Sequence, residues 1–272
     1  MNRPFPKFNG SFQNMNAPSH SSYHALQVRL QHRFAYGFTL LTSYAYGKSI
    51  DNGSGIRTTD GDPLTPSDNY NLRHERGLSA FDFRQRLTTS FLYELPFGAD
   101  KAVKFGGNRI ANWFLGGWQL GGIITFQDGF PLTAYCGPGN IQNGGGYCKP
   151  DVVPGQNPNL AEREQRVTRF FNTAAFVDRL GQDPARITEF RYGTAGRNTI
   201  IGPGILSVDA SMNKFFRVRE GHTLEFRSEF FNLPNHPIFA PPGTTLRTAT
   251  YGVIGATKLD SRQIQFALKY AF

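Results

Sequence analysis

No stretch of the 272-residue sequence approaches the ~20 consecutive apolar residues that a membrane helix needs, so helical membrane spans are excluded. Charge is also sparse, at 18% of residues. The 29 Lys and Arg outnumber the 20 Asp and Glu, giving +9, but they are scattered without a run of four. That excess suits an anionic surface such as lipopolysaccharide, and the scatter argues against nucleic acid as a partner. Cysteine is nearly absent. Cys136 and Cys148 stand in CGPGNIQNGGGYC, too far apart for a two-cysteine redox motif and without paired histidines to complete a zinc site. They are either a local disulfide in an oxidising compartment, which we expect, or two free thiols. The start, MNRPFPKFNG, lacks the apolar core of a signal peptide. Read as it stands, that means a cytosolic protein; the other reading is that the true start lies upstream.

What is abundant points to β-structure. Gly (30), Phe (25) and Tyr (11) favour strands and turns over helices, and so many aromatics exclude disorder. The chain ends in RQIQFALKYAF, where Ile264, Phe266, Leu268, Tyr270 and Phe272 alternate with Gln263, Gln265, Ala267 and Lys269. The same period of two recurs in SSYHALQVRLQHRF (Leu26, Val28, Leu30, His32, Phe34) and FTLLTSYAYG (Phe38, Leu40, Thr42, Tyr44, Tyr46). It recurs again in FDFRQRLTTSFLYELPF (Leu87, Thr89, Phe91, Tyr93, Leu95) and GWQLGGIITFQ (Trp118, Leu120, Ile124, Phe126). ILSVDASMNKFFR (Leu206, Val208, Ala210, Met212, Phe216) and HTLEFRSEFF (Leu224, Phe226, Ser228, Phe230) bring the total to seven strands. Helical spacing fits none of them.

Alternation alone does not say which solvent meets the apolar face. A soluble β-rich protein, for example a secreted carbohydrate binder, buries it, and a membrane barrel turns it to lipid. Four features favour the barrel. The strands are longer than the usual ~5–6 residues of soluble sheets. Their apolar faces carry almost no charge; Lys214 is the exception, placed near a strand end where it reaches the interface. Aromatics gather toward strand ends, as in an interfacial girdle. Finally, short links alternate with long ones over 47–80, 128–204 and 233–260. Short periplasmic turns and long extracellular loops produce that rhythm. The fold class expected is therefore all-β, an antiparallel transmembrane β-barrel segment, with the long loops and both cysteines outside the cell.

SSYHALQVRLQHRF, GGWQLGGIITFQDGFPLT, FFNTAAF, AGRNTIIGPGILSVDASMNKFFRV, LEFRSEFFNLPNHPIF and RQIQFALKYAF together resemble, in this order, the C-terminal barrel half of TonB-dependent outer-membrane receptors, most nearly the Oar-like group. The resemblance covers nearly the whole chain, residues 1–272. It implies a ligand-binding receptor or transporter of a Gram-negative outer membrane, without catalysis or cofactor. The implied partners are outer-membrane lipid and lipopolysaccharide, the TonB energy-coupling complex and the barrel-assembly machinery. By the same resemblance Phe266, Leu268, Tyr270 and Phe272 are similar to the C-terminal assembly signal. Such receptors close about 22 strands around a plug. Seven strands leave two open edges, so the plug and the N-terminal strands are expected to be missing from this chain.

No catalytic constellation stands out, and we expect no enzyme. Glu225, Arg227 and Glu229 share one strand face, with Asp209 and Asn213 on the expected hairpin partner. They are either a lumen surface contacting plug or substrate, or a structural ladder of cross-strand pairs, which we favour. YAYGKS lacks the first glycine of a phosphate loop and reads as a strand end. Asp60, Asp62 and Asp68 do not match a calcium loop and read as a solvated turn. His74, Glu75 and Arg76 read as loop polarity. Asn9-Gly-Ser11 and Asn52-Gly-Ser54 have glycosylation spacing that nothing else supports.

Overall fold

The computed structural model describes residues 19–34, 37–55, 66–68, 71–98, 101–104, 109–137, 148–178 and 192–272. Seven long strands form one antiparallel sheet in chain order: β1 (Ser21–Arg33), β2 (Phe38–Asp51), β3 (Gln85–Glu94), β4 (Trp118–Gln127), β5 (Ile205–Arg219), β6 (His222–Phe231) and β7 (Gln263–Ala271). A two-residue strand, Gly77–Leu78, adds to the outer end of β2. Consecutive pairing without a crossover is an up-and-down meander, the order by which a chain walks around a barrel wall.

Pairing register decides what this sheet is. Leu30 lies opposite Thr42, Thr42 opposite Thr89, Thr89 opposite Ile124 and Ile124 opposite Val208. Beyond β5, Met212 meets Ser228 and Ser228 meets Phe266. Every apolar set therefore lands on one continuous face, and a slip of one residue anywhere would break it. That face is not a protein core. Among the described residues, every buried hydrophobic side chain belongs to the connections and none to the seven long strands. Leu26, Phe266 and Leu268 are each more than 60% exposed. The opposite face is mostly polar, with apolar exceptions that include Leu41, Phe215, and Leu92 and Ile123 on adjacent strands.

The strand directions sort the connections. Links 34–37, 95–117 and 220–221 lie at one end, here the turn end, with the C-terminus. Links 52–84, 128–204 and 232–262 lie at the other, the loop end. The β5–β6 link is a tight turn with Gly221 at φ +75°, a conformation glycine adopts without steric cost.

Four expectations need correction. β2 runs on through Gly47-Lys-Ser49 to Asp51, so YAYGKS lies within the strand and the loop begins at 52. The third strand is shorter than its alternation, ending at Glu94. The link between β3 and β4 is no simple turn, since it contains helix α1 (Arg109–Leu115). Lys214 also does not reach out to water. It is 2% exposed, its Nζ donates to the Gly116 carbonyl, and it lies over the rings of Trp118 and Phe216.

Candidate functional site

The folded chemistry of this chain is at the loop end. There the three long connections pack into a cap with its own apolar core of Phe171, Phe176, Ile200, Leu246 and three alanines. Phe171 meets the edge of Tyr251, and the Tyr251 hydroxyl donates to the Thr173 carbonyl at 3.2 Å. Burial and the nearby Asp178 charge push that phenol above its ordinary range. Backbone bonds splice the second and third loops, including Phe170 N–H to Gly252 O at 2.8 Å and Leu246 N–H to Tyr135 O at 2.9 Å.

Buried charge knits the first loop to the second. Arg197 sits in a tight turn beside Asn198, whose φ is +56°. Its guanidinium donates to the Glu75 carbonyl at 2.9 Å, Ser54 Oγ at 3.1 Å and the Asp51 carbonyl at 2.9 Å, and also to the Asp51 carboxylate. Asn198 adds a bond to the Leu78 carbonyl at 2.7 Å. Gly77 is required here, because a Cβ would come within 2.5 Å of the Arg197 carbonyl oxygen. Lys149 pairs with Glu75 at 2.8 Å, both side chains being 2% exposed. Burial works to raise the Glu75 carboxyl. The hydrogen bond and charge of Lys149, with hydrogen bonds from Ser67, outweigh it and hold the group below its usual value. A third pair, Arg247 with Asp178 at 2.9 Å, ties the last loop to the second.

Cys136 and Cys148 are joined by a disulfide with Cα atoms 5.3 Å apart, directly before Lys149. Closing a loop of this length is worth up to about 3 kcal/mol. The same ends are also held by the Cys136 N–H to Cys148 O bond at 2.9 Å. Reduction, or C136S/C148S, is therefore expected to cost the cap about 2 kcal/mol without unfolding it. Denaturant-dependent proteolysis of the loops with and without reductant measures this; identical curves would show that the bond contributes nothing.

Between the cap and the outer ends of β4 and β5 lies an open cavity of about 1020 Å³. Leu160 and Phe170, with Phe126 and Leu206 from the outer end of the apolar face, give it apolar walls, and Asp82, Arg84, Asp128, Glu162 and Arg166 are its charged members. Burial, reinforced by the Glu162 charge, raises the Asp128 carboxyl despite Arg84 nearby. A recess of this size and mixed lining suits binding of an organic ligand.

Glu225, Arg227 and Glu229 lie apart from this cap, on the polar face of β6. Arg227 bonds Glu225 at 2.9 Å and approaches Glu229 at 3.8 Å, so the ion pairs run along the strand. Across strands, Gln265 donates to Glu229 and Asn213 donates to Gln119 at 3.4 Å. Asp209 instead accepts the Asn232 N–H at 2.8 Å, securing the start of the last loop. Phe266, Leu268, Tyr270 and Phe272 line the exposed edge on the apolar face. Asp60, Asp62, Asn9 and Ser11 lie outside the described residues. The expectation of plain loop polarity at His74–Arg76 is overturned for Glu75, which is among the most buried polar groups. Its partner Lys149 lies 74 positions away, and Arg197 and Asp51 are 146 positions apart, so no local spacing signals either pair.

An exposed apolar face kept in register over seven strands, with the folded core confined to one end, defines a membrane β-barrel wall. The chain matches the family model described as outer membrane beta barrel domain over residues 1–265, and it belongs to that family. No curated protein and no solved structure matches it. Family membership resolves the choice left open between a lipid-facing barrel and a soluble binder in favour of the outer membrane.

Proposed function

We propose that the chain is the C-terminal wall and external cap of a TonB-dependent receptor of the Oar-like group in a Gram-negative outer membrane. The cap binds a ligand, and the intact protein moves it across the membrane with force from the TonB complex. The chain contributes no catalysis. The observation that carries this reading is the cap itself: an apolar core joins the second and third loops, and three ion pairs and a disulfide complete the cap beside a large recess. A wall that only sealed a pore would not need it. Two further features support completion by other segments. The outer edges of β1 and β7 have no strand partner among the described residues, and open edges are not tolerated in lipid. On the lumen face, Leu92 and Ile123 offer an apolar spot on which a plug would rest. The C-terminal strand hands the protein to the assembly machinery, and lipopolysaccharide surrounds the loop end.

An antibody to residues 233–260 is expected to detect, in outer membranes, a species far larger than this chain. Cross-linking is expected to join that species to TonB. A species of the chain's own mass with no TonB adduct would overturn the receptor reading and leave the barrel fold standing.

A further inference from the structure

Outer-membrane barrels usually keep short links at the turn end, yet the link between β3 and β4 carries helix α1. Its position is specific. The Trp113 ring meets Phe216 at 4.8 Å, and Trp118 Nε1 donates to the Phe114 carbonyl at 2.9 Å. Lys214 Nζ donates to the Gly116 carbonyl just past the helix. Trp118, Lys214 and Phe216 all belong to the lipid-facing set, in register with Leu120 and Met212. So α1 is fastened to the outside of the wall, not across the barrel mouth. Gly117, at φ +72°, makes the turn back into β4; a Cβ there would approach the Phe215 carbonyl oxygen to 2.7 Å.

This seat leaves the helix apolar side uncovered. Ile110, Trp113, Phe114 and Leu115 are 73%, 50%, 60% and 50% exposed. Phe97 and Val103, from the same link, are also exposed. A seven-residue helix has little stability of its own in water, and an apolar patch of this kind marks a surface that is covered in use. The patch is continuous with a wall already facing lipid. Elsewhere in the link, Lys101 pairs with Glu94 at 2.5 Å, and Lys104 is exposed.

We propose that α1 is an in-plane membrane helix, its apolar side buried among the phospholipids of the leaflet at the turn end, which in outer-membrane barrels is the periplasmic one. It gives the wall an aromatic anchor at that rim. It also covers Lys214, a formal charge on the lipid face, supplying a carbonyl acceptor so that the ammonium is not left bare to lipid. The inference depends on the membrane-barrel fold and not on transport.

Nitroxide labels test it. The native cysteines are bonded to each other, so a single introduced thiol can be labelled. Ile110→Cys and Phe114→Cys alter side chains that are mostly exposed, and Lys104→Cys serves as the exposed reference. The protein as its cells make it is reconstituted in phosphatidylethanolamine–phosphatidylglycerol bilayers. Collisions with oxygen and with a water-soluble nickel chelate are then compared by electron paramagnetic resonance. The oxygen-to-nickel ratio is expected to be severalfold higher at 110 and 114 than at 104. A ratio equal to that at 104 would mean the helix faces water. Suppression of both collisions would mean a protein partner covers it. Either result overturns the proposal.

Discussion

Arg197→Met is expected to loosen the cap by about 3–5 kcal/mol, the range for breaking a buried ion pair by removing one member. The methionine keeps the length of the side chain but none of its donors. Asp51 is then left as a carboxylate 5% exposed, retaining Ser54 Oγ at 2.6 Å but no cation. The carbonyls of Glu75 and Asp51 lose their Arg197 donors as well. Arg197→Lys is expected to rescue little, because an ammonium cannot reproduce the planar fork that reaches three residues at once. Hydrogen exchange over 71–78 and 192–201 reads the effect directly. The strand amides of β3 and β4 serve as controls and are expected to keep their protection. Unchanged exchange in both loop segments would refute the role assigned to Arg197.

Glu75 adds a pH dependence to the same cap. Its folded carboxyl titrates below its ordinary value, so the folded state binds the proton less readily than the unfolded one. The stabilisation is present above the unfolded pKa of about 4.3 and is lost as the pH falls through the folded pKa. Acidification below the usual carboxylate range is therefore expected to release loop protection, and Glu75→Gln to flatten that release. Replacing both Glu75 and Lys149 by apolar residues is expected to cost less than replacing Lys149 alone, since no buried charge is left unmatched.

How much of this was legible in the chain depends on distance along it. Period two is a local signal, and it placed all seven strands and the residues of each on a common face. Antiparallel neighbours joined in order then set which strand pairs with which. The cap is the opposite case. Arg197 and Asp51, or Lys149 and Glu75, meet only after the loops have folded over one another, and the residues around them look like ordinary polar loop sequence. Glu75 accordingly reads as plain loop polarity, although it is buried. Helix α1 was missed for another reason. Its apolar residues, Ile110, Trp113 and Phe114, have the i, i+3, i+4 spacing of a helix face, but glycines at 106–107 and 116–117 leave too short a run to stand out. Lys214 was visible as an anomaly on the apolar face, and the helix is its physical explanation.

Ile124→Arg, set against Thr125→Arg, separates the two faces of the wall by a single position. Ile124 lies mid-sheet on the apolar face, opposite Thr89 and Val208. Thr125 lies on the other face, opposite Thr88 and Ser207. An arginine on the lipid side near the bilayer midplane costs roughly 2–4 kcal/mol, or about 30- to 700-fold in the folding equilibrium. On the polar side it adds a charge among hydroxyls facing water, and the change is expected to stay within about 0.5 kcal/mol. Urea-dependent folding into bilayers measures both. Equal losses would mean that both faces are buried in protein. A loss confined to Thr125→Arg would mean that the sheet is turned the other way, with its apolar side inward. Composition is nearly the same in the two variants, so only the placement of the side chain relative to lipid distinguishes them.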